Sequence, residues 1–116
     1  LECALPLYRE ALIDDGVLDW PAMLAMMTSA PAEVAGLSHL GLGRLEVGGP
    51  ADLTVIDPDA EWVIDPEAFR SAGRNCPFTG RSVRGRAILS VVGGQIRHQL
   101  TGDRSTSAID EKASVR

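Results

Sequence analysis

Histidine and cysteine are scarce in this sequence, which argues against a metal centre. The 116 residues include two histidines, His39 and His98, and two cysteines, Cys3 and Cys76. A hydrolytic metal centre needs several imidazole and carboxylate ligands that converge on one point. Because the histidines form no H-x-H or H-x-x-x-H pattern, we interpret both as surface or hydrogen-bonded residues. We therefore expect no zinc or other metal bound to this chain.

Long apolar runs, an export signal and an initiating methionine are also missing. No apolar stretch approaches the ~20 residues that a membrane-spanning helix needs. No basic segment precedes an apolar one at the N-terminus, so we predict no signal peptide. We expect a cytoplasmic chain without membrane contact, whose cysteines are reduced thiols buried as small apolar residues. A first residue other than methionine leads us to expect a fragment or a processed chain.

Positive charge is in deficit, since the formal net charge is -5. An acidic chain repels phosphate backbones, and the arginines of residues 70–86 are diluted by Gly, Ser and Pro without interleaved aromatic residues. We therefore predict no nucleic-acid partner. The composition, 45% hydrophobic and 23% charged, is ordinary for a globular chain with room for one small domain.

Recognisable catalytic patterns are absent from the sequence. There is no G-x-S-x-G elbow, and Cys76 lies in no known catalytic setting. The pair Asp14-Asp15 stands at the end of a predicted helix, where acids are unfavourable, and we expect it to be solvated. Asp57-Pro58-Asp59 is interpreted as a strand end and turn. We therefore predict no catalytic, substrate-binding or metal-binding residue in this chain.

The first third of the chain has the spacing of helices. Over residues 3–15 apolar residues recur at three- and four-residue steps, and Gly16 is predicted to end this helix. Asp19 is predicted to cap a second helix that carries Pro21 in its first turn. The apolar face of that helix, which we assign to the core, consists of Met23, Leu24, Met26 and Met27.

A third short helix and a turn-rich bridge follow. Ser29 is predicted to cap the helix, which covers residues 32–35 and stops at Gly36. The bridge, residues 41–50, is rich in glycine. No Lys-Ser/Thr follows these glycines and no helix starts there, so we interpret them as turns and not as a phosphate loop.

The second half of the chain is predicted to form strands. Residues 51–58 alternate as a short strand that ends at Asp57-Pro58, and residues 61–65 form a second strand-like run. Residues 66–71 are predicted to make a helical turn and residues 73–84 a loop.

A hairpin is the clearest local pattern. Residues 86–92 are rich in β-branched and aliphatic side chains, and residues 95–100 continue the apolar alternation. Gly93-Gly94 between them is typical of a primed two-residue turn. From residue 101 onward the chain is polar and aperiodic, which predicts a disordered tail.

Three motifs resemble a known family. Residues 1–7, LECALPL, resemble the G-[LF]-E-T-A-L-P-L segment of dihydroorotases. Residues 43–57 resemble the return to the small β domain seen across the amidohydrolase superfamily. Residues 69–80, followed by Gly85 and Val92-Gly93-Gly94, resemble the dihydroorotase C-terminus in particular. The chain therefore resembles the C-terminal portion of a dihydroorotase, in the cyclic amidase branch of the superfamily.

The resemblance implies an activity that this chain does not carry itself. Dihydroorotases interconvert N-carbamoyl-aspartate and dihydroorotate in pyrimidine biosynthesis, through zinc-activated hydroxide. The family's metal ligands and catalytic residues precede the segment matched by Leu1, so none is carried onto this chain. The departures from the family pattern are Cys3 in place of Thr, Ala30 in place of Asn, and Cys76 in a position often taken by Thr.

The resemblance also implies an architecture. The family has a TIM-type (β/α)8 barrel with a small β-sandwich built from both chain ends. We therefore expect an α+β fragment, with residues 1–40 as the last outer barrel helices and residues 41–100 as C-terminal sandwich strands, followed by a tail at 101–116. Its expected partner is the missing N-terminal barrel portion, and a homo-oligomer or a transcarbamoylase are further partners that the resemblance leaves open.

Other hypotheses remain open. The parent protein could be a non-catalytic dihydroorotase-like subunit that scaffolds a transcarbamoylase, because the deciding ligands lie upstream. A related hydantoinase or allantoinase is a further alternative, because the motif at residues 43–57 is specific only to the superfamily. A free-standing small binding module belongs to a different class, and it predicts that the isolated chain unfolds in one cooperative step.

Overall fold

Helices precede strands along the chain in the computed structural model, which describes residues 2–100. The helices are α1 (Ala4–Tyr8), α2 (Trp20–Met27) and α3 (Ser29–Val34), and the strands are β1 (Leu53–Val63), β2 (Ser82–Val92) and β3 (Gln95–Gln99). Short helical turns lie at Arg9–Asp14, Ser38–Leu40 and Pro66–Ala68. No helix in this part of the chain is long and apolar enough to cross a membrane. The predicted tail at 101–116 lies outside the described residues.

The N-terminal helix changes geometry halfway along. It begins as α1 and continues as a π-helical turn over Arg9–Asp14. The predicted helix at 3–15 is thus present over residues 4–14 but is not uniformly α. Gly16 adopts φ +71° and its N–H donates to the Ile13 carbonyl at 2.9 Å. This left-handed residue ends the helix, as predicted, because glycine adopts positive φ at little cost.

The cap of α2 is confirmed, but its apolar face is only partly buried. The Ala22 N–H donates to Asp19 Oδ1 at 2.9 Å, which satisfies one of the free N–H groups at the helix start. Met23 is fully buried, whereas Met26 is 44% exposed. The assignment of all four apolar residues to the core is therefore wrong for Met26, because a two-turn helix buries only the stripe that faces its neighbours.

The predicted cap of α3 is wrong. Ser29 is the first residue of that helix, and its hydroxyl donates back to the Ala25 carbonyl of α2 at 3.4 Å. The two helices follow one another directly at Thr28, so no extended residue is left to serve as a cap. The predicted stop at Gly36 is confirmed: Gly36 N–H donates to Glu33 O at 2.9 Å and Leu37 N–H to Ala32 O at 2.8 Å.

The three strands form one antiparallel sheet in the order β1-β2-β3. Leu53 pairs with Val91 at one end of the β1–β2 ladder, and Val63 pairs with Ser82 at the other. The predicted hairpin is confirmed, since Gly93 and Gly94 have φ +57° and +75° in the turn between β2 and β3. Positive φ at both central residues is what a primed turn requires.

Two strand boundaries differ from the predictions. Asp57-Pro58 does not end a strand, because β1 runs on to Val63 with an irregularity in its pairing between Asp57 and Glu61. Asp57 Oδ1 accepts hydrogen bonds from the N–H groups of Asp59 at 2.9 Å and Ala60 at 3.1 Å, so the side chain replaces lost ladder bonds.

The second difference is the start of β2. It begins at Ser82, inside the predicted loop at 73–84. Trp62 lies opposite Val83, and its indole N–H donates to the Gly85 carbonyl at 3.1 Å. The long-range pairing with β1 therefore extends β2 into a glycine- and arginine-rich stretch whose composition alone favours a loop.

The main buried cluster joins the N-terminal segment to the sheet. Ile64 is fully buried, and Cys3 and Val83 are buried beside it. The half-buried side chains that pack against these three residues are Leu7, Trp62, Phe69 and Cys76. Residues from both predicted regions, 1–40 and 41–100, thus share one core.

Candidate functional site

The two histidines lie in different parts of the fold. His39 is exposed on the Ser38–Leu40 turn, where its Nδ1 is 2.8 Å from the Gly36 carbonyl. His98 is half-buried on β3 and lies opposite Ser90 of β2. Within residues 2–100 there is no group of three or more His, Cys, Asp or Glu side chains that could hold a metal ion. Among the described residues, neither histidine therefore lies in a cluster of possible metal ligands.

The paired acids serve local structure. Asp14 lies 3.5 Å from the buried guanidinium of Arg9, and Asp59 lies 3.9 Å from the same group. Asp57 accepts the two backbone hydrogen bonds of the irregularity in β1. Asp14 is therefore partnered by a cation rather than simply solvated, and Asp57 lies inside a strand rather than at its end.

The glycines of the bridge make room for close packing. Gly43 has φ +80°, and a Cβ atom on it would lie 2.7 Å from Ser29 Cα and 2.8 Å from the Thr28 carbonyl oxygen. Gly41 has φ +73° and a Cβ there would lie 2.9 Å from Pro50 Cδ. These contacts are to protein groups that fill the space, which agrees with the interpretation of the bridge as turns.

A cleft of about 1340 Å3 lies between the N-terminal segment and the sheet. Its walls include apolar groups such as Leu5, Trp62 and Phe69, and its charged groups include Glu2 and Asp65. Both carboxylates already accept hydrogen bonds from the backbone, of Ser71 and of Glu67 respectively. The cleft therefore presents a mixed surface whose two acids are engaged in holding the adjoining loop.

Glu2 fixes the start of the chain to the loop before β2. Its carboxylate accepts from the N–H groups of Ser71 at 2.8 Å and Arg70 at 3.2 Å, and from the Ser71 hydroxyl. Hydrogen bonds from Ser71, first from its hydroxyl and then from its N–H, lower the pKa of Glu2 below the ordinary value for glutamate. The ionised form of Glu2 is thus the form that the fold favours.

Cys3 and Cys76 come together although they are far apart in the sequence. Cys3 belongs to the buried cluster with Ile64 and Val83, and Cys76 packs against that cluster. Both are free thiols, Cys3 buried and Cys76 half-buried. Burial, and next the neighbouring Cys76 thiol, raise the pKa of the Cys3 thiol above its ordinary value.

Sequence reasoning missed this pair of thiols. It treated each cysteine as a separate apolar residue, because no C-x-x-C spacing links them. The one available signal was that both cysteines occupy positions where the resembled family has, or often has, Thr. Two departures of the same kind are a weak signal of spatial contact. The proximity itself follows from the packing of Cys76 against the buried cluster that contains Cys3.

Sequence comparisons relate the chain to amidohydrolases, and among them to dihydroorotases. The Amidohydrolase family matches residues 4–98, which is most of the chain. The chain is 46% identical over 101 residues to the dihydroorotase of Syntrophotalea carbinolica, covering 87% of this chain and 23% of that protein. It is 43% identical over 99 residues to the dihydroorotase of Brevibacillus brevis, covering 85% of this chain and 22% of that protein.

A comparison with solved structures agrees. The L-hydantoinase (dihydropyrimidinase) of Arthrobacter aurescens matches with a TM-score of 0.74 and 29% sequence identity, over 86% of this chain and 22% of that chain. The chain thus spans between a fifth and a quarter of the length of these relatives. The resemblance to dihydroorotases drawn from the three motifs is confirmed by these matches.

Proposed function

Because the chain belongs to the amidohydrolase family, we propose that it is the C-terminal part of a dihydroorotase. That enzyme is a zinc-dependent hydrolase that interconverts N-carbamoyl-aspartate and dihydroorotate in pyrimidine biosynthesis. The observation that carries the proposal is the 46% identity over 101 residues with a protein named dihydroorotase. The motifs at 1–7 and 69–80 also resemble this branch of the family, and in the structure they are in contact through the hydrogen bond from Ser71 N–H to Glu2.

The residues of this chain do not fit a zinc centre. His39 and His98 are its only histidines, and they lie on a helical turn and on β3, with no third ligand beside them among residues 2–100. In the proposed enzyme the metal ligands and the proton-transferring acid come from the rest of the protein. No catalytic step is therefore assigned to a residue of this chain.

The proposed role of the chain is to close the barrel and complete the small sandwich. Helices α1 to α3 are proposed as the last outer elements of a (β/α)8 barrel, and β1 to β3 as sandwich strands. Support comes from β1 and β3, which are the outer strands of the described sheet and carry exposed apolar residues such as Val55 and Ile96. The proposed partner is the preceding barrel portion, with a second copy or a transcarbamoylase as further candidates.

An activity assay tests the proposal. We expect the protein that carries this chain, at its full length and with zinc, to hydrolyse dihydroorotate, followed as the loss of ultraviolet absorbance. We expect the isolated chain, residues 1–116, to show neither turnover nor stoichiometric zinc in metal analysis. Turnover by the isolated chain would refute the structural role, and a full-length protein that is inactive but binds a transcarbamoylase would favour the scaffold subunit.

A hydantoinase is the second candidate. The similarity to the L-hydantoinase of Arthrobacter aurescens favours it, although the sequence identity of 29% is lower than with the dihydroorotases. Hydantoin and dihydroorotate should be compared as substrates of the same full-length preparation. A higher kcat/KM for hydantoin would replace the dihydroorotase proposal.

A further inference from the structure

The strongest unused cluster of reactive groups is the pair of thiols between α1 and the loop before β2. Cys3 is 9% exposed and is one of the three buried residues of the main cluster. Cys76 packs against the same cluster but keeps some contact with solvent. The proposed function assigns neither cysteine a role as an acid, a base or a metal ligand, so it does not explain why the two thiols lie close together.

The backbones on both sides of the pair are fixed by hydrogen bonds. Glu2, next to Cys3, accepts from the N–H groups of Arg70 and Ser71 at the near end of the loop. The Thr79 hydroxyl donates to the Cys76 carbonyl at 2.8 Å at the far end. The fold therefore holds the two cysteines beside one another without a covalent bond, which gives each thiol a high effective concentration near the other.

We propose that Cys3 and Cys76 form a reversible disulfide when the protein meets a low-molecular-weight disulfide such as oxidised glutathione. The Cys76 thiolate attacks one sulfur of the reagent, breaks its S–S bond and releases the first reagent thiolate. Cys3 then loses its proton to solvent, attacks the Cys76 sulfur and displaces the second reagent thiolate. Two protein thiols are oxidised to one disulfide, and one reagent disulfide is reduced to two thiols.

The unequal burial of the two cysteines sets the order of the steps. Cys76 is the more exposed and is the entry point, because an attacking thiol must be reached by the reagent. Cys3 is buried and less accessible to the reagent, so it acts second and resolves the mixed disulfide. The bond would tie the start of α1 to the loop before β2 and so restrict the unfolded chain.

The test uses the full-length protein that carries this chain, treated with oxidised glutathione under native conditions and mapped by peptide mass spectrometry. We expect a Cys3–Cys76 cross-link in the wild type that reducing agent reverses, together with a higher urea midpoint of the oxidised form. The variant Cys3→Thr should stop at a glutathione adduct on Cys76. The variant Cys76→Thr should lose the reaction, and Cys3 should stay unmodified.

The variants use threonine because the resembled family has it at these positions, which favours intact folding. Circular dichroism of both variants checks this, and the wild-type result does not depend on either variant. A stable glutathione adduct on wild-type Cys76 without ring closure would overturn the proposal. A cross-link that forms only in denaturant, or faster labelling of Cys3 than of Cys76, would overturn it as well. None of these outcomes bears on dihydroorotate hydrolysis.

Discussion

Gly43 is required to be glycine for two reasons, its backbone conformation and its close packing. Its φ of +80° favours glycine, and a Cβ atom would lie 2.7 Å from Ser29 Cα. Gly36 has a similar φ of +70° but open space around the Cβ position, so it is the matched control. The pair separates the cost of a left-handed alanine from the cost of a steric clash.

We predict that Gly43→Ala destabilises the protein more than Gly36→Ala. A left-handed alanine costs about 1–2 kcal/mol in either variant. The clash with the start of α3 should add about 1–3 kcal/mol at residue 43, because the neighbouring atoms are backbone and cannot move aside cheaply. Urea unfolding of both variants, made in the full-length protein, measures the difference. Equal losses of stability would show that the bridge at 41–50 shifts to accommodate the Cβ atom without strain.

Single residues whose role depends on near neighbours could be predicted from the sequence. Asp19 caps α2 and Gly36 stops α3, because both roles depend on atoms within about one helical turn. Ser29 fails as a cap because two helices follow directly on one another, which residue preferences do not reveal. The contact between Cys3 and Cys76 could not be predicted from their near neighbours in the sequence, because it depends on where the loop that carries Cys76 packs.

Among the strands too, features set by near neighbours could be predicted and features set by long-range pairing could not. The β2–β3 hairpin was predictable because its turn residues set its register locally. The lengths of β1 and β2 could not be predicted, because they depend on pairing between residues far apart in the sequence. This pairing continues β1 beyond Asp57-Pro58 and makes β2 begin at Ser82. The composition of both stretches disfavours a strand. The hydrogen bonds accepted by the Asp57 side chain and the one from the Trp62 indole to the Gly85 carbonyl offset this preference.

The contact between the start of α1 and the loop before β2 gives a prediction about pH. Hydrogen bonds from Ser71 lower the pKa of Glu2 in the folded state. A carboxyl with a lowered folded pKa adds stability above its unfolded pKa and loses it as the pH falls through the folded pKa. Glu2→Gln should therefore lower the free energy of unfolding of the full-length protein at pH 7, and with it the urea midpoint. The loss should be at most about 1 kcal/mol, because Glu2 is exposed and its charge is screened by solvent.

The difference between wild type and Glu2→Gln should shrink as the pH falls below the ordinary range for glutamate. The urea midpoints of both proteins between neutral and acidic pH measure this trend. Glu33→Gln is the control, since Glu33 is an exposed residue of α3 away from this contact. A gap that stayed constant down to low pH would show that the charge of Glu2 does not strengthen its contact with Ser71.

At the scale of the whole molecule, the described part has one buried cluster and a small sheet with two open edges. The cluster holds three buried residues, and large apolar side chains such as Val63, Val92 and Ile96 are more than half exposed. Three strands are at the lower limit for a sheet that is stable by itself, and its two unpaired edges are open to pairing with other strands. The N-terminal segment contributes Cys3 and Leu7 to the cluster that holds Ile64 and Val83, so this segment and the sheet are not expected to fold separately.

The isolated chain, residues 1–116, should therefore unfold in a broad transition and not in one cooperative step. Trp62 lies in the cluster and Trp20 in α2, so their combined fluorescence and the far-ultraviolet circular dichroism sense different parts of the fold. We expect urea curves from the two signals that do not coincide, whereas a two-state domain gives coincident curves. The full-length protein is the control, in which the same residues should resist higher urea concentrations. Coincident, steep curves from a monomer would mean that these strands need no partner, which would favour a free-standing binding module over part of a larger amidohydrolase.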